Sequence, residues 1–112
     1  MPPMVRLPRL ASLLADPAAA RLRHLTLDAP DSLAVVARSR HLTGLETIQL
    51  FGRHPVVTDD DAAAFLDNPA LAGVKRLWLN CVDRNNLRLS AATEARLRER
   101  LGDGYALHTM PG

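Results

Sequence analysis

The chain has 112 residues, of which 47% are hydrophobic and 23% charged, and its net charge is +2. This length is enough for one globular domain whose core needs neither disulfides nor metals, and Cys81 has no second cysteine to pair with. No stretch approaches the roughly 20 apolar residues of a membrane span, and no cleavage signal follows Arg6 and Arg9. We therefore expect a cytoplasmic protein without a membrane partner.

The positive charge comes from 13 arginines and one lysine. Many arginines, alanines and leucines with almost no lysine or isoleucine are typical of GC-rich coding DNA. The basic residues are scattered among acidic ones, so a nucleic-acid partner is the weaker interpretation. If nucleic acid is bound, we expect Arg38, Arg40, Arg84 and Arg88 to contact it.

The first predicted element is a short helix near the N-terminus. Leu10, Leu13 and Leu14 indicate its apolar side, and it ends at Asp16-Pro17 because the residue before a proline disfavours helix. A similar pair, Asn68-Pro69, ends a later helical stretch.

Three segments then repeat one pattern, in which apolar residues occupy the first, fourth and sixth places of a strand-like stretch. The segments are "ARLRHLTLDA", "TGLETIQLFG" and "AGVKRLWLNC", which begin at Ala20, Thr43 and Ala72, and so lie 23 and 29 residues apart. Their apolar residues are Leu22, Leu25 and Leu27, then Leu45, Ile48 and Leu50, then Val74, Leu77 and Leu79. Each segment is predicted to be a strand that follows a polar turn and a helix.

The stretch "VTDDDAAAFLDNP" is predicted to be a helix that begins after Thr58, a favourable N-cap residue. Asp61 stands in a capping-box-like place, and Asp59 and Asp60 add negative charge at the positive end of the helix dipole. Three adjacent aspartates also suggest a metal loop, but the alternating oxygen ligands and terminal glutamate of a calcium loop are missing. The cap interpretation is therefore favoured.

The last predicted helix, "AATEARLRERLG", begins after Ser90 and ends at Gly102, where a left-handed C-cap residue is needed. Glu94 and Arg98 are spaced for a surface ion pair. A final strand, "YALHTM", begins at Tyr105.

These segments resemble the leucine-rich repeat family, in particular its ribonuclease-inhibitor-like bacterial type. The resemblance spans roughly residues 10 to 101 and implies a short α/β solenoid, with parallel strands on one face and helices on the other. Residues 1–112 would then form a single domain of about three and a half repeats. The chain departs from the family pattern three residues after the last strand leucine, where Pro30, Arg53 and Val82 stand.

An array of three repeats is near the lower limit of stability, and "MPPMVRLPRL" is a poor cap for the first strand. Two hypotheses follow. The first is that the chain is a fragment of a longer repeat array. The second is that it associates edge to edge with a copy of itself. A compact βαβ domain with the same strands in one sheet is the alternative fold.

The orientation of Trp78, the single tryptophan, follows from strand alternation. Leu77 and Leu79 flank it, so burial of both leucines places the indole on the opposite face. The equivalent residues in the other segments, Thr26 and Gln49, are polar. The exposed face is predicted to hold eight site residues, His24, Asp28, Thr47, Gln49, Phe51, Arg76, Trp78 and Asn80.

Aromatic and arginine side chains among short polar ones are typical of protein-binding surfaces. We therefore expect a non-enzymatic module that binds an unidentified protein or peptide through this face, without a cofactor or metal. The histidines lack metal-binding spacing, and no glycine-rich phosphate loop is present. The alternatives are the nucleic-acid-binding domain, a repeat remnant with no binding role, and a face covered by a tail or a second copy.

Overall fold

A computed structural model describes residues 20–28 and 30–110, without the side chains of Cys81 and Met110. The predicted first helix around Leu10 and its end at Asp16-Pro17 lie outside the described residues.

Each α-helix of the described chain lies between two strands. The strands are β1 (His24–Leu27), β2 (Thr47–Phe51), β3 (Val57–Thr58), β4 (Arg76–Asp83), β5 (Leu87–Arg88) and β6 (Tyr105–Met110). The helices are α1 (Ser32–Ala37), α2 (Asp59–Asp67) and α3 (Ala91–Leu101). Short 3-10 turns lie at Pro69–Leu71, Arg84–Asn86 and Gly102–Gly104.

The main sheet has four strands in the order β1-β2-β4-β6, and every neighbouring pair is parallel. A second, two-stranded parallel sheet pairs β3 with β5. The strands of the main sheet lie side by side in the same order as in the chain, with one α-helix in each connection, and β3 and β5 lie within the second and third connections. The predicted α/β class with parallel strands is confirmed.

The core lies between the main sheet and the helices. In the first buried row Leu25 pairs with Ile48, Ile48 with Leu77, and Leu77 with Tyr105. The second buried row is Leu27, Leu50 and Leu79. The same cluster includes residues of all three helices, Leu33, Val36, Ala62, Phe65 and Leu97. Full burial of a leucine-sized side chain contributes about 1.5–3 kcal/mol, so these rows are the main stabilising feature of the sheet.

The helix ends agree with the sequence predictions. Thr58 Oγ1 accepts a hydrogen bond from the Asp61 N–H at 3.1 Å, and Ser90 Oγ accepts one from the Thr93 N–H at 3.2 Å. Gly102 ends α3 as predicted and has a φ of 57°, which favours glycine, but its ψ of −127° differs from the left-handed C-cap conformation that was expected.

The capping-box role expected for the Asp61 side chain is wrong. Its carboxylate accepts a hydrogen bond from Arg38 Nη1 at 2.8 Å, which ties α2 to the end of α1. At the other end of α2, the Asn68 amide donates to the carbonyl oxygens of Ala37 and Ser39 at 2.9 and 2.7 Å. Neighbouring helices are therefore joined by polar links at both ends of α2.

The turns that enter the strands are closely packed. The Arg23 carbonyl accepts hydrogen bonds from the Glu46 and Thr47 N–H groups, and the Glu46 carbonyl accepts them from Lys75 and Arg76 in the same way. Just before these turns a Cβ at Gly44 would overlap the Ala20 carbonyl oxygen. The equivalent Gly73 has more room, because its nearest neighbour would be the Leu45 carbonyl oxygen at 3.8 Å.

We expect Gly44→Ala to lower the free energy of unfolding by about 1–3 kcal/mol, because the backbone must shift to admit the methyl group. Gly73→Ala is the matched control, and its effect should stay within about 0.5 kcal/mol. Urea unfolding followed by far-UV circular dichroism measures both. Equal effects of the two changes would contradict the described packing between successive turns.

Tyr105 begins β6 in the first buried row and is 6% exposed. Its hydroxyl has no hydrogen-bond partner among the described residues, and the Arg98 guanidinium lies 5.2 Å from its ring centre. Burial, followed by the nearby Glu94 carboxylate, raises the pKa of Tyr105 to about 12.

We expect the free energy of unfolding to fall between pH 10 and about 12. In this range the unfolded chain, with a tyrosine pKa of about 10, loses a proton that folded Tyr105 still holds. Because the chain has a single tyrosine, its absorbance at 295 nm follows this group directly. Tyr105→Phe should remove this part of the pH dependence. Titration of the folded protein near pH 10 would contradict burial of the hydroxyl.

Candidate functional site

Trp78 lies on the sheet face opposite the core. Its neighbours Leu77 and Leu79 are 1% and 0% exposed, whereas the indole is partly exposed. The predicted orientation of Trp78 is therefore confirmed.

The cross-strand rows on this face follow the predicted register. His24 pairs with Thr47 and Thr47 with Arg76; in the next row Thr26 pairs with Gln49 and Gln49 with Trp78. Phe51 pairs with Asn80, but the β1–β2 pairing ends at Leu27, so Asp28 lies just beyond the paired residues. The structure thus brings together seven of the eight predicted residues and places Asp28 at the end of the face.

Strand β6 adds residues that were absent from the predicted site. Ala106 pairs with Trp78, and His108 pairs with Asn80. The alternation in "YALHTM" is the signal that places them on this face, because Tyr105 and Leu107 share the opposite one.

The accessibility of the predicted residues differs widely. Phe51 is 48% exposed and is the exposed large hydrophobic residue of the described chain. Thr47, expected on the open surface, is only 7% exposed, which corrects that expectation. Its Oγ1 has no hydrogen-bond partner among the residues described. Thr47 lies between His24 of β1 and Arg76 of β4, its cross-strand partners.

A cleft of about 300 Å³ opens on this face, beside the indole. It is lined by His24, Leu25, Thr26, Thr47, Gln49, Arg76 and Trp78. The Arg76 guanidinium lies 5.9 Å from the centre of the Trp78 ring, within the range of a cation–π contact. Phe51, Asn80 and Asp28 lie outside the cleft, toward the ends of the strands.

The charges next to the cleft differ in their pairing. The Glu46 carboxylate forms ion pairs with Arg23 at 3.3 Å and with Lys75 at 3.9 Å. Arg76 forms no ion pair with any described residue, and no Asp or Glu lines the cleft. The cleft therefore combines a free guanidinium, an indole wall and short polar groups.

The arginines of the nucleic-acid hypothesis do not lie together in one element. Arg38 and Arg40 follow α1, where the chain returns to the start of a strand, and Arg84 and Arg88 follow β4. The Arg38 charge also faces the Asp61 carboxylate at 2.8 Å.

Two further features are absent from residues 20–28 and 30–110. No group of three or more His, Cys, Asp and Glu residues there is arranged to hold a metal ion. None of the helices in this part of the chain has the length and apolar character needed to cross a membrane.

Comparisons with known proteins give one partial similarity. Over 91 residues, or 81% of the chain, the sequence is 31% identical to histidine ammonia-lyase of Symbiobacterium thermophilum. The chain spans about 18% of that relative's length, so the similarity does not establish a family. No family model matches the chain. No solved structure matches it either.

Proposed function

We propose that this chain is a short leucine-rich repeat module that binds a protein or peptide through the exposed face of its parallel sheet, without catalysing a reaction. Three features support the repeat architecture. The order of the strands in the main sheet follows the chain, the leucine positions of successive segments pair with each other, and a helix lies in each connection. The small β3–β5 sheet repeats the same parallel pairing beside the main one.

The observation that carries the binding proposal is the position of Trp78. The helices cover the leucine side of the sheet, while the indole, the Arg76 guanidinium and the cleft lie on the other side. Phe51 adds a second aromatic ring on this side, so two of the four aromatic residues lie there. Tryptophan and arginine are the side chains that most often dominate the free energy of protein association.

A double variant tests this function. Phage-displayed random 12-residue peptides are selected on the immobilised chain, and the affinity of the selected peptides is measured by isothermal titration calorimetry. We expect Phe51→Ala combined with Trp78→Ala to weaken binding at least about tenfold, because truncation of an anchoring aromatic residue costs about 2 kcal/mol or more.

Glu99→Ala, an exposed change on α3, is the matched control and should leave both affinity and the melting temperature unchanged. The double variant should also unfold within a few degrees of the natural chain. Peptides that bind the double variant as well as the natural chain would place binding elsewhere. A large loss of thermal stability would instead show that Trp78 has a structural role.

A further inference from the structure

The unpaired positive charge of Arg76 indicates which ligands the cleft favours. Three basic residues lie near the strand starts, Arg23 just before β1, Lys75 just before β4 and Arg76 at the first position of β4. Arg23 and Lys75 share the Glu46 carboxylate. The Arg76 guanidinium has no acidic partner among the described residues, and only its backbone N–H contacts Glu46, donating to the main-chain carbonyl oxygen at 3.1 Å. Its side chain packs over Trp78 instead.

The contact with Trp78 leaves the Arg76 guanidinium available to a planar anion. A guanidinium over an aromatic face keeps its edge N–H groups available, and these match the two oxygens of a carboxylate. Stacking also restricts the long side chain before a ligand arrives, which reduces the entropy lost on binding.

Thr47 supplies a second unused polar group. Buried polar atoms are nearly always hydrogen-bonded, and one without a partner needs an explanation. Thr47 lines the cleft, and rotation of its hydroxyl with a small shift of the side chains above it gives an entering oxygen a donor beside Arg76. The orphan hydroxyl and the unpaired guanidinium lie on paired residues of adjacent strands.

We propose that this cleft recognises an aspartate or glutamate side chain in an extended peptide segment of a partner protein, with an adjoining apolar residue against Trp78. This inference rests on the proposed function and specifies its partner. A volume of about 300 Å³ accommodates one or two side chains, which suits such a pair. The cleft suits a polyanion such as nucleic acid less well, because the neighbouring cations Arg23 and Lys75 already form ion pairs with Glu46.

The test uses acetylated and amidated hexapeptides in which each glutamate sequence has a matched glutamine sequence. Binding is followed by the fluorescence of Trp78, the single tryptophan of the chain. We expect glutamate peptides to bind at least about tenfold more tightly than their glutamine partners, since a charge-assisted pair is replaced by a neutral contact.

Two variants locate the preference. Arg76→Gln should abolish the difference between glutamate and glutamine peptides, and Thr47→Val should weaken glutamate binding severalfold without lowering the melting temperature. Lys75→Gln is the matched control, because it removes a neighbouring charge that does not line the cleft. It should keep most of the preference for glutamate.

Several results would overturn this inference. They are equal affinity for both peptide series, a preference that survives in Arg76→Gln, or no binding of the glutamate peptides at all. Light scattering that shows this face closed by a second copy would also overturn it. The selection on random peptides tests the proposed function separately. If the selected peptides lack acidic residues but still need Trp78 and Phe51 for binding, the proposed function stands and only the acidic preference is wrong.

Discussion

Burial of aliphatic side chains at alternate positions of parallel strands is the constraint on which the rest of the structure depends. Leu25 and Leu27 in β1, Ile48 and Leu50 in β2, and Leu77 and Leu79 in β4 are all at most 1% exposed. Each pair is separated by one residue, and that residue must face the other side of the sheet. The register then aligns those intervening residues, so the two leucine rows create a continuous second face. The same rows hold the helices in place through one shared core.

The second face of the sheet is formed by the residues that alternate with the buried leucines. Thr26, Gln49 and Trp78 occupy one row, and only the tryptophan is large and apolar. Its indole holds the Arg76 side chain at 5.9 Å, in a cleft without carboxylates. The sheet therefore places an aromatic residue and a basic residue on one face of β4, which is the basis of the binding function proposed above. Binding through such a face needs little rearrangement, because the strands that position the side chains are already ordered.

Most of the fold could be predicted from local patterns, because the repeat of apolar residues sets both the burial and the register. Thr58, Ser90 and Gly102 mark helix ends through short-range chemistry, and the helices begin or end at all three, with both predicted N-cap hydrogen bonds present. What could not be predicted depends on contacts between distant segments. The Arg38–Asp61 pair and the Asn68 amide bonds join residues 23 to 31 positions apart. The burial of Thr47 likewise depends on neighbours in adjacent strands, and the reach of the face into β6 depends on its pairing with β4.

Opposite orientation of Trp78 and Leu79 is measured most directly by placing the same charged residue at each position. Urea unfolding of Trp78→Asp and Leu79→Asp, followed by far-UV circular dichroism, compares adjacent residues of one strand. A carboxylate forced into the core at position 79 should abolish cooperative unfolding or cost more than about 4 kcal/mol, whereas position 78 should tolerate it within about 1 kcal/mol. Equal destabilisation by the two changes would show that the indole belongs to the core.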